Sequence, residues 1–466
     1  MRGPVATSPF VSTEIRQNLR LAIPIVLTQL GMMMLGLIDT AIVGRVSEDA
    51  LAAVALGNML MFAVSVPAFG FLMAVEPVAS QALGEGDRVR AWSTAREALR
   101  IAVIATLPVT FLSWLGAVAL PWMRVDPAIV PATRAYVYAR LPAVFPLYAY
   151  IAGKTYQQAA GRPRASVEAV VVANVVHAIT GYVAVYGDVA LVKVHLPAIG
   201  LHAFGAAGAG VATSVSTWLL AAWVWSPRGR PRDGALDYAR PGDVRPTGFD
   251  RETSRKLVQI GTPIGTQFFA EVAIFSLVTF LMATISARAV AANQIALGLA
   301  SFSFMGALGV SQATSVRVGM CIGEGSTARA RRAGFTGIAL GLGYMSAWAL
   351  IFAVAPHALA RLFSSDENVI GAALPLIRLA AIFQIGDAAQ VVAGGALRGA
   401  GDTRWPLLAN LVAHWLIAFP IAWVCAFKLG MGAAGLWWGL VAGLWTIGSA
   451  LVFRFGSITR REIARV

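Results

Sequence analysis

Charge is what this chain has least of. Only 13% of its 466 residues are Asp, Glu, Lys or Arg, about half the ~25% of ordinary globular chains. That deficit excludes a disordered protein and argues against a soluble multi-domain enzyme. Cysteine is nearly absent too. Cys321 and Cys425 stand in separate apolar segments without metal-type or redox-type neighbours, so both read as reduced packing residues. The five histidines are scattered; His195 and His202 share a loop, but nothing beside them supplies a zinc set, and no metal site is expected. AGKT (152–155) ends like a phosphate-binding loop, yet that pattern needs glycine at 148, which is Tyr148. With no nucleophile–base pair and no nucleotide fold in sight, neither an enzyme nor a cofactor is indicated.

What the chain does have is apolar length. Hydrophobic residues make up 58% of it and its mean hydropathy is +0.69. Crossing a hydrocarbon core takes about 20 residues of helix. Twelve runs qualify: 21–43, 52–80, 100–121, 132–158, 166–187, 204–225, 257–284, 289–320, 334–355, 370–397, 405–427 and 434–455. The first, Leu21 to Val43, is longer than the apolar core of a signal peptide and reads as an uncleaved span. An even number of crossings puts both termini on one side. That side, with the even-numbered connections, holds 28 of the 37 Lys and Arg and the other side 9, so the positive-inside rule makes it cytoplasmic. The net charge of +14 is then an orienting feature facing anionic lipid rather than a nucleic-acid footprint. The 13 tryptophans, Trp437-Trp438 and Trp223/Trp225 among them, read as interfacial anchors, and the 46 glycines as sites of close helix packing.

The sequence also repeats itself. At an offset of 239, LAIPI (21–25) lies over IGTPI (260–264), Ala52-Ala53 over Ala291-Ala292, and LGEGDRVRA (83–91) over IGEGSTARA (322–330). Farther on, Gly161 matches Gly401 and GAAG (205–208) matches GAAG (432–435). The Pro-, Gly- and charge-rich stretch from Ser226 to Lys256 separates the copies. The expected architecture is an all-α membrane protein of twelve helices. Its N-lobe (1–225, helices 1–6) and C-lobe (257–466, helices 7–12 and a short tail) form a parallel repeat joined by a flexible cytoplasmic linker (226–256). A duplication of this kind places a central cavity between two lobes, as in alternating-access carriers.

Four carboxylates interrupt the apolar runs: Asp39, Glu76, Glu271 and Asp387. Each costs at least about 2.5–3.5 kcal/mol at mid-bilayer and needs a partner, a wet cavity or a proton. Gln267 shares a helical face with Glu271, and Gln384 and Gln390 flank Asp387, so two helices each carry a polar stripe. At the repeat offset Asp39 falls on Val278 and Glu271 on Met32. The architecture was copied and the ionisable chemistry was not. Each half therefore has its own task.

IDTAIVG (38–44), the prolines opening helices 1 and 7, AANQIALGL (291–299), SVRVGMCIGEG (315–325) and QVVAGGALRGAGDT (390–403) together resemble the multidrug and toxic-compound extrusion (MATE) family, in its NorM-like branch. The resemblance runs from Glu14 to about Phe455. It implies a twelve-helix, two-lobed antiporter that expels cationic lipophilic compounds in exchange for sodium ions or protons. It also implies that Glu271 and Asp387 are coupling and cation-binding carboxylates and that Asp39 is the helix 1 family aspartate; Glu76 stands where some members carry an acid. The family's N-lobe sodium site uses two oxygen donors four residues apart in helix 5. Here His177 and Gly181 occupy those places, Thr213 still matches the helix 6 threonine, and Asn174 falls three residues early. Losing two oxygen donors favours proton over sodium coupling, with His177 able to titrate nearby. Phe268, Phe269, Phe383 and Tyr148 are candidate ring contacts for an aromatic cation. Partners are small organic cations and membrane lipids, with no nucleic acid and no obligate protein partner, the chain acting as a monomer in a bacterial inner membrane. A same-fold carrier of a lipid-linked or other anionic metabolite would want a basic cavity, and a membrane-embedded enzyme or scaffold would want chemistry that is not visible.

Overall fold

The computed structural model describes residues 9–123, 125–193, 195, 197–226 and 248–466, and among them there is no strand. The expected linker lies mostly outside the described residues, at 227–247. The first half runs through α1 (Pro9–Val43), α2 (Glu48–Met73), α3 (Val75–Glu85), α4 (Arg88–Ala119), α5 (Val130–Arg140), α6 (Val144–Ala159), α7 (Arg164–Tyr186), α8 (Asp188–Lys193) and α9 (Ala206–Trp225). The second runs through α10 (Arg251–Ile285), α11 (Ala287–Gly323), α12 (Thr327–Val354), α13 (Pro356–Arg361), α14 (Glu367–Gly399), α15 (Arg404–Leu411), α16 (Phe419–Trp423) and α17 (Gly432–Ile458). Eleven stretches among the described residues are long and apolar enough to span a membrane. The remaining expected run, the fourth in chain order at 132–158, is divided between α5 and α6 by a 3₁₀ turn at Leu141–Ala143. Pro142 explains the division, since it offers no N–H to a continuing helix.

The duplication is visible in small details. Ser47 and Ser286, 239 residues apart, cap α2 and α11 by accepting a backbone N–H three residues on, each at 3.0 Å. Gly86 and Gly325 end the following helical stretch with φ of +87° and +76°. The next residues, Asp87 and Ser326, donate their amides back to Ala82 and Cys321, both at 2.9 Å. Only glycine takes that left-handed turn without cost.

Two compact units emerge. One contains Met1–Gln29, Glu76–Asp87 and Thr262–Val466; the other contains Leu30–Val75 and Arg88–Gly261. The long helices α1 and α10 thus each pass from one unit to the other. In the first unit Arg317 on α11 pairs with Glu14 at 2.9 Å and donates to Gln17. Gly309 accommodates Val26 so closely that a Cβ there would lie 2.6 Å from its Cγ2. The segment α3 docks in the same unit: Gln81 donates to the Gly399 carbonyl at 2.9 Å, and Ser80 fills the space over Gly319. In the second unit the start of α10 is held by Asp250, which accepts from Ser93 at 2.7 Å, and by Ser254, which donates to buried Glu97 at 2.9 Å.

Small residues set the packing of α11 on α14. A Cβ on Gly395 would lie 2.5 Å from the Ser311 carbonyl, and one on Gly399 would crowd that of Ser315 still more. Backbones this close gain dispersion contacts that larger side chains would prevent. Both cysteines are free, Cys321 buried and Cys425 partly so. The reading of Trp437 as an interfacial anchor is corrected. Its ring is fully buried against Phe383, and its N–H donates to Asn293 at 3.0 Å. A buried indole needs one acceptor, and Asn293 supplies it.

Candidate functional site

Two buried polar centres occupy the places where the sequence interrupts its apolar runs, one in each unit.

The first is built on α1, α7 and α9. Asp39, four residues before the end of α1, is 7% exposed, and His177 opposite it is fully buried. The imidazole Nε2 lies 2.9 Å from Asp39 Oδ1, and Thr213 donates to Oδ2 at 3.2 Å. On its other edge His177 Nδ1 lies 3.1 Å from Ser216 Oγ. With the ring neutral, Nε2–H donates to Asp39 and the Ser216 hydroxyl donates to Nδ1; with the ring protonated, both nitrogens donate. Both carboxylate oxygens therefore have a donor in either state, which a carboxylate in lipid surroundings requires. Gly181, one turn beyond His177, lets α7 approach α1 and α9: a Cβ there would meet Ile42 at 3.2 Å and Ala212 at 3.5 Å.

Asn174 stands apart from this centre. Its amide donates to Gly31 and Val170 carbonyls at 2.9 and 2.8 Å, tying α7 to α1 one turn away. Two contributors were not singled out in the sequence. Ser216 sits one turn after Thr213 in a run of small residues and carries no signal of its own. Tyr136 on α5 lies within electrostatic reach of Asp39, and its hydroxyl accepts from Arg140 at 2.6 Å.

The second centre lies in the other unit, on α10 and α14. Gln390 donates to Glu271 Oε1 at 3.0 Å. Asp387, less than one turn before Gln390, is buried and within electrostatic reach of Glu271. Two ionised carboxylates in mutual range repel one another. Gln384 points elsewhere and donates to Ser303, fastening α14 to α11. Gln267 on α10 is half-buried. Glu76 occupies the first turn of α3, immediately after the chain turns at Ala74, and is buried. Of the candidate ring contacts, Phe383 and Tyr148 are buried in aromatic packing with Trp437 and Phe69, whereas Phe268 is half-buried and Phe269 exposed. Among the described residues no group of three or more His, Cys, Asp and Glu could hold a metal ion.

Comparison with known proteins gives the same account twice over. The MatE family model matches residues 24–183 and again 263–424, one match in each half. A "Probable multidrug resistance protein NorM" from Deinococcus radiodurans is 36% identical over 462 residues, covering 97% of this chain and 98% of the relative. The multidrug resistance protein PmpM of Pseudomonas aeruginosa is 32% identical over 468 residues, covering 99% and 95%. Among solved structures, the eukaryotic MATE transporter AtDTX14 superposes with a TM-score of 0.84 at 20% identity, covering 97% of this chain and 98% of its own. A mutant of the Vibrio cholerae MATE transporter VcmN gives 0.82 at 18%, covering 97% and 98%.

Proposed function

The chain belongs to the MatE family of membrane transporters and is not an enzyme, and from that footing we propose that it is a proton-coupled antiporter exporting cationic, lipophilic drugs or toxic compounds across a bacterial inner membrane. Both termini face the cytoplasm in this reading, which the distribution of Lys and Arg supports. The relatives named for multidrug resistance support the cargo class. The acidic character of both centres supports its charge, because a low-dielectric acidic site attracts cations and penalises anions more steeply than water does.

The observation that carries proton rather than sodium coupling is the contact of Asp39 with His177. A sodium ion needs several oxygen donors around one point. At Asp39 one of the nearest partners is a ring nitrogen, 2.9 Å away, and among the described residues only Thr213 adds a side-chain oxygen hydrogen-bonded to it. A proton needs no such shell. It can reside on the carboxylate or on the imidazole, and the pair retains a hydrogen bond in either case. Glu271 and Asp387 then serve as the second centre, where a proton and the organic cation compete for negative charge. Proton entry releases the cargo outward by alternating access without ATP.

The test is efflux of an ethidium-like cation from proteoliposomes, with pH and sodium gradients imposed separately and the membrane potential clamped. Export driven by the pH gradient and indifferent to replacing sodium with choline is expected. Robust sodium-driven export at equal pH overturns proton coupling, and export of a dianionic dye in preference to ethidium overturns the cargo class.

A further inference from the structure

The segment α3 meets the last turns of α11 in a crossing of repeat-related residues. Ser80, Gln81 and Gly84 on α3 match Gly319, Met320 and Gly323 on α11, each pair 239 residues apart. Ser80 Oγ fills the place that a Cβ on Gly319 would take. A Cβ on Gly84 would strike the Met320 carbonyl, and one on Gly323 would strike that of Gln81. Small residues four apart on both helices permit this approach, and the reciprocal contacts give the crossing a local two-fold. One attachment breaks that symmetry. After α17 ends at Ile458, the chain runs back over the crossing. Ile463 donates its amide to Thr327 Oγ1 at 3.3 Å and rests against the core. Arg465 pairs with Glu85 at 2.8 Å, and the Val466 side chain covers Gly401. The Val466 amide donates to Gln81 Oε1 at 2.8 Å, while Gln81 Nε2 donates to the Gly399 carbonyl at 2.9 Å. Gln81 is buried, and Met320 in the matching place has no carboxamide to be held. All these residues belong to one unit, whereas α2, which leads into α3, belongs to the other.

We propose that the tail Arg460–Val466 is a latch that bolts α3 to α11 and α14, and that it must let go before α3 can leave them in the transport cycle. One buried carboxamide joins three stretches of chain, so α3 cannot move away and keep both Gly399 and Val466. The Arg465–Glu85 pair is partly exposed and adds little. The holding falls to the bond between Val466 and buried Gln81 and to the apolar anchors Ile463 and Val466. The latch favours the docked state without touching Asp39, Glu271 or Asp387. It therefore sets the rate of the cycle rather than the choice of cargo. The inference rests on the alternating-access reading for its consequence in transport, and the docking itself is tested without transport.

The first arm is hydrogen exchange of the purified chain in detergent, read at the amides of residues 78–85. Deleting Arg460–Val466 should speed their exchange by about tenfold or more, with α9 unchanged. Val466→Pro removes only the amide donor and keeps an apolar ring, and should speed it by about threefold or more. Native exchange in both variants overturns the latch, and so does an equal rise in α9, which marks general loosening. A rise on deletion without one in Val466→Pro overturns the Gln81 bond as the bolt. The second arm joins Glu85→Cys and Arg465→Cys with a short, reducible bis-thiol reagent and follows ethidium export from proteoliposomes. Export should fall about tenfold or more on joining and return on reduction, while each single variant given the reagent stays within about twofold of native. Native export by the joined protein overturns the need for release, and thiols that never join overturn the docked tail. Failure of the native protein to export ethidium counts instead against the function proposed above, and hydrogen exchange still decides the latch.

Discussion

Replacing His177 by alanine removes the donor to Asp39 Oδ1 and empties a fully buried position. A hydrogen bond to a charged partner contributes about 1.5–3 kcal/mol. The vacated ring volume adds roughly 1–2 kcal/mol, below the ~2–5 kcal/mol of larger apolar side chains cut to alanine in cores, because an imidazole is small and polar. The sum is about 3–5 kcal/mol. With roughly 2.1 cal/mol/K of melting entropy per residue, a chain of 466 residues has near ~1 kcal/mol/K, so Tm falls about 3–5 °C. Glutamine separates bonding from titration. Its amide nitrogen reaches about as far as Nε2 and restores the donor to Asp39, but it takes no proton near neutral pH. Tm of His177→Gln should therefore return to within about 2 °C of the native value. Transport driven by a pH gradient should stay below about a tenth of native, at matched protein in proteoliposomes. His177→Gln with full proton-driven transport would refute the titrating role of the imidazole. His177→Ala with native Tm and transport would refute the whole account of the pair.

Three further outcomes follow from the same geometry. Glu271→Gln and Asp387→Asn should each abolish resistance in a drug-sensitive host while membrane levels stay native; full resistance in both would remove the second centre from the mechanism. Gly395→Leu should drive α14 away from Ser311 and cost about 1–3 kcal/mol of stability, read as lost monodispersity on heating, whereas a native melting profile would show that the helices have room to spare. Asp188, the first residue of α8, accepts the backbone amides of Ile199, Gly200 and Leu201 in the following loop at 2.9–3.1 Å, the first of which chiefly holds its carboxyl below the usual range. A depressed acid stabilises the fold above its unfolded pKa and loses that contribution as pH falls through the folded one. The loop should then resist hydrogen exchange down to about pH 4 and loosen below it, and Asp188→Ala should loosen it at pH 7.

Much of this was legible because lipid leaves the sequence few choices. A backbone in hydrocarbon must be helical, so apolar runs translate almost directly into helices. The repeat was legible at residues where only one type fits, as at Gly86 and Gly325. Breaks inside runs were harder to see. Pro142 explains the turn between α5 and α6, but the π-helical turns at Val412–Ala418 and Val424–Lys428 leave no mark in hydropathy. The wide-ring helix depends on how Gly439 and Gly443 of α17 seat Ala418 and Ala422, which is a property of the pair. In the polar centres the carboxylates were legible from their cost, and Gln390 from its spacing. Ser216 was not, since serine is commonplace in packed helices. Trp437 misled for a related reason: tryptophan is ordinarily interfacial, and only the position of Asn293 on another helix reveals a buried partner.

The exchange of segments between the units bears on ancestry and on engineering. The opening stretch of each half, up to Gln29 in one and Gly261 in the other, belongs with the opposite half's helices. Cutting the gene in its central linker would not release two self-sufficient pieces. Each fragment would carry an apolar arm shaped for the other and would lack the arm its own helices were built to receive. The fragments should be insoluble in detergent when made alone and recover only when made together. By the same logic a half-length forerunner encoded by an unduplicated gene would have been an intertwined pair, each copy lending its first helical segment to its twin. Chimeras between relatives should therefore keep Met1–Gln29 and Glu76–Asp87 with the second half and the stretch up to Gly261 with the first, rather than be joined at the linker alone.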